Sequence, residues 1–423
     1  MKLTIAGARV IDPASHFDQI TDLHIAAGHI VAIGAAPEGF NPNQTIDARG
    51  LIAAPGLVDL SVSLREPGYT RKGTIASETR AAAAGGVTSL CCPPTTRPVL
   101  DTPAVAELIF DRNEKAGQAR VFPIGALTRA LEGEQLSELV ALRDAGCVAF
   151  TQGLAPIKSN RILRRALEYA AGFDLSIIFT PMDPALAEGG MAHEGPTAAR
   201  LGLVGIPESA ETVALARDLL LIEQTGVRAH FSGLSSARAV DMLADAQARG
   251  LPVTADVAMY QLLLCDEDLA GFSSLYHVIP PLRSASDRRA LRQAVQEGVI
   301  QAIASHHQPH EPEAKRVPFA ASEPGISSVE ILLPLALTLV ADGLLELPAL
   351  LARLTTGPAN ALGLPAGRLE LGGEADIVLF DPVASSHIGH NWLSKGANCP
   401  FLGQGAPTVV THTLSHGKLV YQA

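Results

Sequence analysis

Apolar and polar positions change rhythm twice along the chain. Over residues 1–54 the rhythm is strand-like. Leu3, Ile5, Ala8, Val10 and Ile11 mark one short segment, and residues 23–34 read as a hairpin turning at Ala27–Gly28. No stretch there has the spacing of an amphipathic helix. From Pro55 onward, short apolar runs alternate with long helical patterns. The runs fall at 57–64, 88–92, 121–127, 147–151, 176–180, 228–232, 253–257 and 301–305. Each is rich in β-branched or small apolar residues and lacks clean alternation, as parallel strands buried on both faces do. Helical patterns lie between them at 75–84, 103–116, 160–171, 209–224 and 236–248. Further helices are expected at 327–340 and 348–354. Eight strands, most followed by a helix, predict an α/β chain with a (β/α)8 barrel. From Leu364 the strand rhythm returns at 367–373, 375–380, 409–414 and 418–421. The expected organisation is therefore a barrel over 55–363. Residues 1–54 and 364–423 would build one small β-sandwich between them, since chain ends often lie close together.

Composition narrows this picture. Apolar residues make up 47% and charged residues 18% of the 423 positions, enough for a large buried core. Aromatic residues are only 4%, so that core should be built from small aliphatic contacts. The formal net charge of -11 argues against nucleic acid or an anionic membrane as partner, because both call for clustered Lys and Arg. The cysteines, at 91, 92, 147, 265 and 399, are odd in number and form no C-x-x-C pair. Neither a disulfide framework nor a zinc–thiolate site is expected. No apolar run reaches the length of a membrane span, and the first residues, Met1-Lys2-Leu3-Thr4-Ile5, lack a signal peptide's apolar segment. The cytoplasm is the expected compartment.

Candidate chemistry belongs at the C-terminal ends of the barrel strands. The first strand reads Pro55-Gly56-Leu57-Val58-Asp59-Leu60-Ser61-Val62-Ser63-Leu64-Arg65-Glu66-Pro67-Gly68. It resembles the P-G-[LI]-[IV]-D-x-H-x-H strand of dihydroorotases and related cyclic amidohydrolases such as hydantoinases and allantoinases. The L-R-E-P-G that follows it in dihydroorotases is also present. Two histidines at i and i+2 of a strand point the same way and make a metal pair. Here both positions are serine, Ser61 and Ser63, poor ligands for zinc.

The other strand ends keep the family's frame and lose its ligands in the same way. Cys92-Pro93-Pro94-Thr95 resembles M-P-N-T, and the substrate-holding Asn falls near Thr95. The family's bridging Asp or carbamylated Lys falls near Gln152, which is neutral and cannot be carbamylated. Ile177-Ile178-Phe179-Thr180-Pro181-Met182-Asp183-Pro184 resembles I-I-V-H-C-E-D-P, with Thr180 at the metal histidine. Arg228-Ala229-His230-Phe231-Ser232-Gly233 resembles R-V-H-I-x-H, with His230 kept and Gly233 at the metal histidine. Ala302-Ile303-Ala304-Ser305-His306-His307-Gln308-Pro309-His310 resembles A-I-A-[TS]-D-H-A-P-H, with His306 at the general-base Asp. Arg65 and His310 match the residues that hold the substrate carboxylate.

The resemblance implies an amidohydrolase barrel whose five metal positions are Ser61, Ser63, Gln152, Thr180 and Gly233, so no zinc cofactor is expected. Without zinc, a bound water keeps its ordinary acidity and no nucleophile forms at neutral pH. Dihydroorotase-like chains of this kind are associated in bacteria with aspartate transcarbamoylase, as non-catalytic partners of its catalytic chain. The resemblance therefore implies an assembly role in pyrimidine biosynthesis, as a homodimer within a hetero-oligomer. Two other readings stay open. One is an active cyclic amidohydrolase with an atypical metal site, His306, His307 and His310 being the cluster to inspect. The other is a small-molecule-binding regulator using Arg65, Thr95 and His310. His230 reads as a hydrogen-bonded core histidine. His16, His24, His29, His387, His390, His412 and His416 read as surface residues of the sheet domain. Residues 311–324, where the family has a substrate loop, are rich in Pro, Glu and Ala, and mobility is expected there.

Overall fold

The structure is a computed structural model that describes residues 2–389 and 391–423. Its centre is a set of eight parallel strands in sequence order: Leu57–Asp59, Val87–Cys92, Arg120–Ala126, Ala149–Thr151, Ile177–Phe179, Ala229–Phe231, Val253–Ala258 and Ala302–Ala304. All eight coincide with the apolar runs of the sequence. The last strand meets the first just beyond their ends. Ser63 N donates to His307 O and His307 N donates to Ser61 O, each at 2.9 Å. The barrel is thereby closed at the rim where Ser61, Ser63 and His307 lie.

Most strands are shorter than their apolar runs because the flanking residues bend away at the rim. The helices pack outside with their apolar stripes inward. The helix Asn160–Gly172 buries Leu163, Ala166, Leu167 and Ala170, and the Ser159 hydroxyl caps its start by accepting from Ile162 N. The helix Ile75–Ala84 begins with a capping box between Thr74 and Ser77. All five cysteines are free and buried.

A second sheet joins strands from both ends of the chain. Lys2–Asp12 lies at its middle, flanked by Phe17–Ala26, Ile52–Pro55 and Gln44–Asp47. Ile377–Asp381 pairs with Ile52–Pro55 and leads on to Val409–Ser415 and Lys418–Gln422. Residues 367–373, expected as a strand, are instead irregular, with a turn at 371–372. Gly367 and Gly372 take φ values of 75° and 81°, which break an extended chain, and only two backbone bonds at Ile30 tie the turn to the sheet. His24, expected at the surface, is buried between Thr4 Oγ1 and the Gly34 carbonyl, each at 3.0 Å.

Candidate functional site

The seventh strand brings a carboxylate into the barrel's upper end. Asp256 is fully buried and accepts four hydrogen bonds. Its Oδ2 takes His230 Nε2 at 2.9 Å and Ser232 Oγ at 3.0 Å. Its Oδ1 takes His306 Nε2 and Gly233 N, both at 2.7 Å. Burial works against its charge, yet the His306 charge and the bond from His230 overcome that and hold the carboxyl far below the usual range. For His306, burial alone would favour the neutral ring. Asp256 overcomes it, with help from the Asp59 charge, and raises the pKa. Both carboxyl groups thus favour the protonated form of the His306 ring.

On the first strand, Asp59 is fully buried. Its Oδ1 accepts Ser61 N at 3.2 Å and Ser305 N at 3.1 Å, while Oδ2 has no partner among the described residues. Burial raises its pKa against those bonds. Neither Asp256 nor Asp59 falls on a metal or base position of the motifs. The signal for both was a lone acid inside an otherwise apolar strand, since an unpaired charge is not left there.

His306 also explains the space beside it. Gly233 sits at φ 74°, and a Cβ added there would lie 3.0 Å from His306 Cε1. A side chain at 233 and an imidazole at 306 compete for one volume. His306 itself takes φ 49°, in the left-handed region.

The remaining positions lie apart from Asp256, and of them only Gln152 and Thr180 share a cleft. Gln152 is buried, its Oε1 accepting from Thr128 Oγ1 at 2.8 Å and its Nε2 donating to Leu131 O at 2.9 Å. Thr180 lines a mostly apolar cleft with Gln152 and Phe179. Thr95 is exposed in the turn after the second strand. Among the described residues, no base hydrogen-bonds the hydroxyl of Ser61 or Ser63.

The three histidines of the eighth motif face different ways. His306 holds Asp256. His307 donates from Nε2 to Glu78 at 2.9 Å and accepts the amides of Ser328 and Val329 at Nδ1. His310 donates from Nε2 to Pro324 O at 2.9 Å and accepts the Lys72 ammonium at Nδ1, 3.2 Å away. The donor set does not fit the family's metal centre. The imidazole Nε2 atoms of His230 and His306 are both spent on Asp256, and Ser, Thr, Gln and Gly stand at the ligand positions.

A second polar cluster joins the first strand's end to the eighth. Arg65, at φ 63°, donates from Nε to Pro309 O at 3.1 Å, with Nη2 at 3.2 Å from His310 Nε2. Burial, then Arg65 and Lys72, push His310 down to about 3. Glu323 from the 311–324 segment pairs with Lys72 and so covers this cluster with the chain's own carboxylate.

That segment is not free. Lys315 Nζ donates to the carbonyls of Ser274 and His277 at 3.1 and 3.2 Å, and His277 Nδ1 meets Ser322 Oγ at 2.9 Å. A buried ammonium bonded to carbonyls is a strong tether, and it opposes the mobility expected of this segment. Of the histidines expected at the surface, His16, His29, His387 and His416 are exposed and His412 is half-buried. His390 lies outside the described residues.

Comparison with known proteins agrees with this frame. The family model described as dihydro-orotase-like matches residues 50–239. A dihydroorotase-like protein of Pseudomonas aeruginosa is 70% identical over 422 residues, covering 100% of each chain. A dihydroorotase of Anaeromyxobacter sp. is 43% identical over 423 residues, covering 99% of this chain and 98% of its own. Among solved structures, an L-hydantoinase from Arthrobacter aurescens superposes with a TM-score of 0.87 over 99% of this chain and 96% of its own. At 24% identity it speaks for the shared fold alone. Identity of 70% over the whole length, on a barrel with this rim, shows that the chain belongs to the dihydroorotase-like family.

Proposed function

We propose that this chain is a catalytically inactive, dihydroorotase-like subunit that assembles with the catalytic chain of aspartate transcarbamoylase in the cytoplasm, in pyrimidine biosynthesis. The observation that carries the inactivity is the His306–Asp256 pair. At the family's base position stands His306, an imidazole bonded to the buried Asp256, and His230 is turned onto the same carboxylate. A hydrolase also needs an activated nucleophile. Ser61 and Ser63 have no base within hydrogen-bond reach among the described residues. Ser61, Ser63, Gln152, Thr180 and Gly233 then stand as vestigial metal positions, with Arg65, Thr95 and His310 as a vestigial substrate pocket. The partner, and a homodimeric state within the complex, rest on the family resemblance.

One finding favours a second reading. A relative named dihydroorotase aligns over 99% of the chain at 43% identity. Under that reading the chain would hydrolyse a cyclic amide through an atypical site.

One set of measurements separates the two. Metal content and dihydroorotase turnover in both directions, with and without added zinc, should show neither metal nor turnover. The mass of the chain mixed with the transcarbamoylase catalytic chain should exceed that of either alone. Turnover with stoichiometric metal would overturn the inactive reading, and unchanged masses would overturn the assembly role.

A further inference from the structure

Away from the barrel rim, a cavity of about 190 Å3 lies where the barrel wall meets the C-terminal strands. Its walls are chemically simple. Ile331, Pro334 and Val410 supply an apolar side, and Trp392 and Tyr421 supply two aromatic rings. Glu330 is its acid, and among the described residues no Lys or Arg lines it. The Glu330 carboxylate accepts the amides of Leu393 and Ser394, at 2.9 and 2.8 Å, which fixes it at the wall.

We propose that this cavity binds a small organic ammonium ion, with the charge beside Glu330, Trp392 and Tyr421 and the alkyl groups against Ile331, Pro334 and Val410. Aromatic rings attract a cation through their quadrupole, more strongly where water is excluded. A carboxylate whose charge is opposed by burial gains most from a cation brought alongside. Burial, reinforced by the Glu78 charge, pushes Glu330 up to about 7, against the two amide bonds and Arg80. An anion would meet Glu330 with Glu78 behind it. A metal ion would find one carboxylate where it needs several donors. The inference stands apart from the proposed assembly role and does not depend on it.

Trp392 is the only tryptophan, so its fluorescence reports on this cavity alone. The full chain would be titrated at pH 8 with tetramethylammonium chloride, with sodium chloride and tert-butanol as controls. A saturable change is expected with the organic cation only. Affinity should fall roughly tenfold at pH 6, because a carboxyl with a pKa near 7 is then mostly protonated. His387 also lines the cavity, and among the described residues the titratable groups around Glu330 are Glu78, Arg80, Tyr421 and Cys399. His387→Asn should keep the pH dependence, and Glu330→Gln should abolish it. Glu330→Gln should weaken binding by about tenfold or more. Tyr421→Leu, which leaves the charge in place, should weaken it several-fold, on the order of 1 kcal/mol. No saturable change, an equal response to tert-butanol, or full affinity in Tyr421→Leu would overturn the proposal. Tyr421→Leu decides the matter if Glu330→Gln fails to fold.

Discussion

His306 adopts a left-handed backbone conformation that costs on the order of 1–3 kcal/mol for a residue with a side chain. The pair with Asp256 offsets that strain. The sign of its pH dependence follows from the two shifts. His306 is raised above its ordinary 6.5, so its contribution is complete below that value and is lost as pH climbs through the raised one. Asp256 is lowered from its ordinary 3.8, so its contribution is complete above 3.8 and is lost only in strong acid. His306→Gln should therefore cost about 3–5 kcal/mol near pH 6, where it leaves a buried carboxylate without its cation. The gap to the parent should close at alkaline pH. Urea denaturation at pH 6, 8 and 10 checks this, and a gap of constant size would show that charge is not the cause.

Gly233 makes a companion case. Gly233→His should destabilise the barrel by several kcal/mol, since its side chain would enter the volume of His306 from a left-handed backbone. Adding His306→Asp should relieve part of that cost. The two changes together should be less harmful than their sum by about 1 kcal/mol or more. Additivity in a double-mutant cycle would mean that the two positions do not share one space. At this scale the sequence was informative only where a motif gave a residue its context. The replacement at 306 was visible, but Asp256 was passed over because the seventh strand carried no motif. His24 looked like a surface histidine because a strand partner such as Thr4, 20 positions away, leaves no local trace.

Elements were legible where hydrophobic rhythm decides them. All eight barrel strands and the helices at 75–84 and 103–116 match the pattern, because a strand buried on both faces and an amphipathic helix each write their period into the chain. Composition and rhythm say least where a segment's state depends on distant partners. Residues 367–373 alternate like a strand, yet Gly367 and Gly372, both at positive φ, break that run. The 311–324 segment has a loop's composition, yet Lys315 and His277 tie it to residues 274–277 and Ser322. Lys315→Ala removes two charge-assisted bonds worth about 1.5–3 kcal/mol each. Amide hydrogens of residues 313–323 should then exchange at least roughly tenfold faster, while the barrel strands keep their protection. Unchanged exchange in that segment would place its tether elsewhere.

For the molecule as a whole, the question is what holds the barrel's upper end together. A metal bound only by the folded chain raises stability by RT ln(1 + [L]/Kd), about 2.7 kcal/mol at a hundredfold excess over Kd. With an unfolding entropy scaled to 423 residues, that amounts to a rise in Tm on the order of 3 °C. Here protein groups link the strands. Asp256 of the seventh strand takes donors from the sixth and eighth motifs, and Asp59 of the first takes the amide of Ser305. Those links need no ion. The Tm should therefore be unchanged, within about 1 °C, by EDTA treatment or by zinc added after it, since no linkage term applies. His306→Asp removes the internal cation and leaves three carboxyl groups close together, so it should lower the Tm. Zinc should not restore it while Ser61, Ser63 and Gly233 remain. A Tm that falls with EDTA and recovers with zinc in the parent chain would show that a metal, and not protein groups alone, holds the barrel's upper end together.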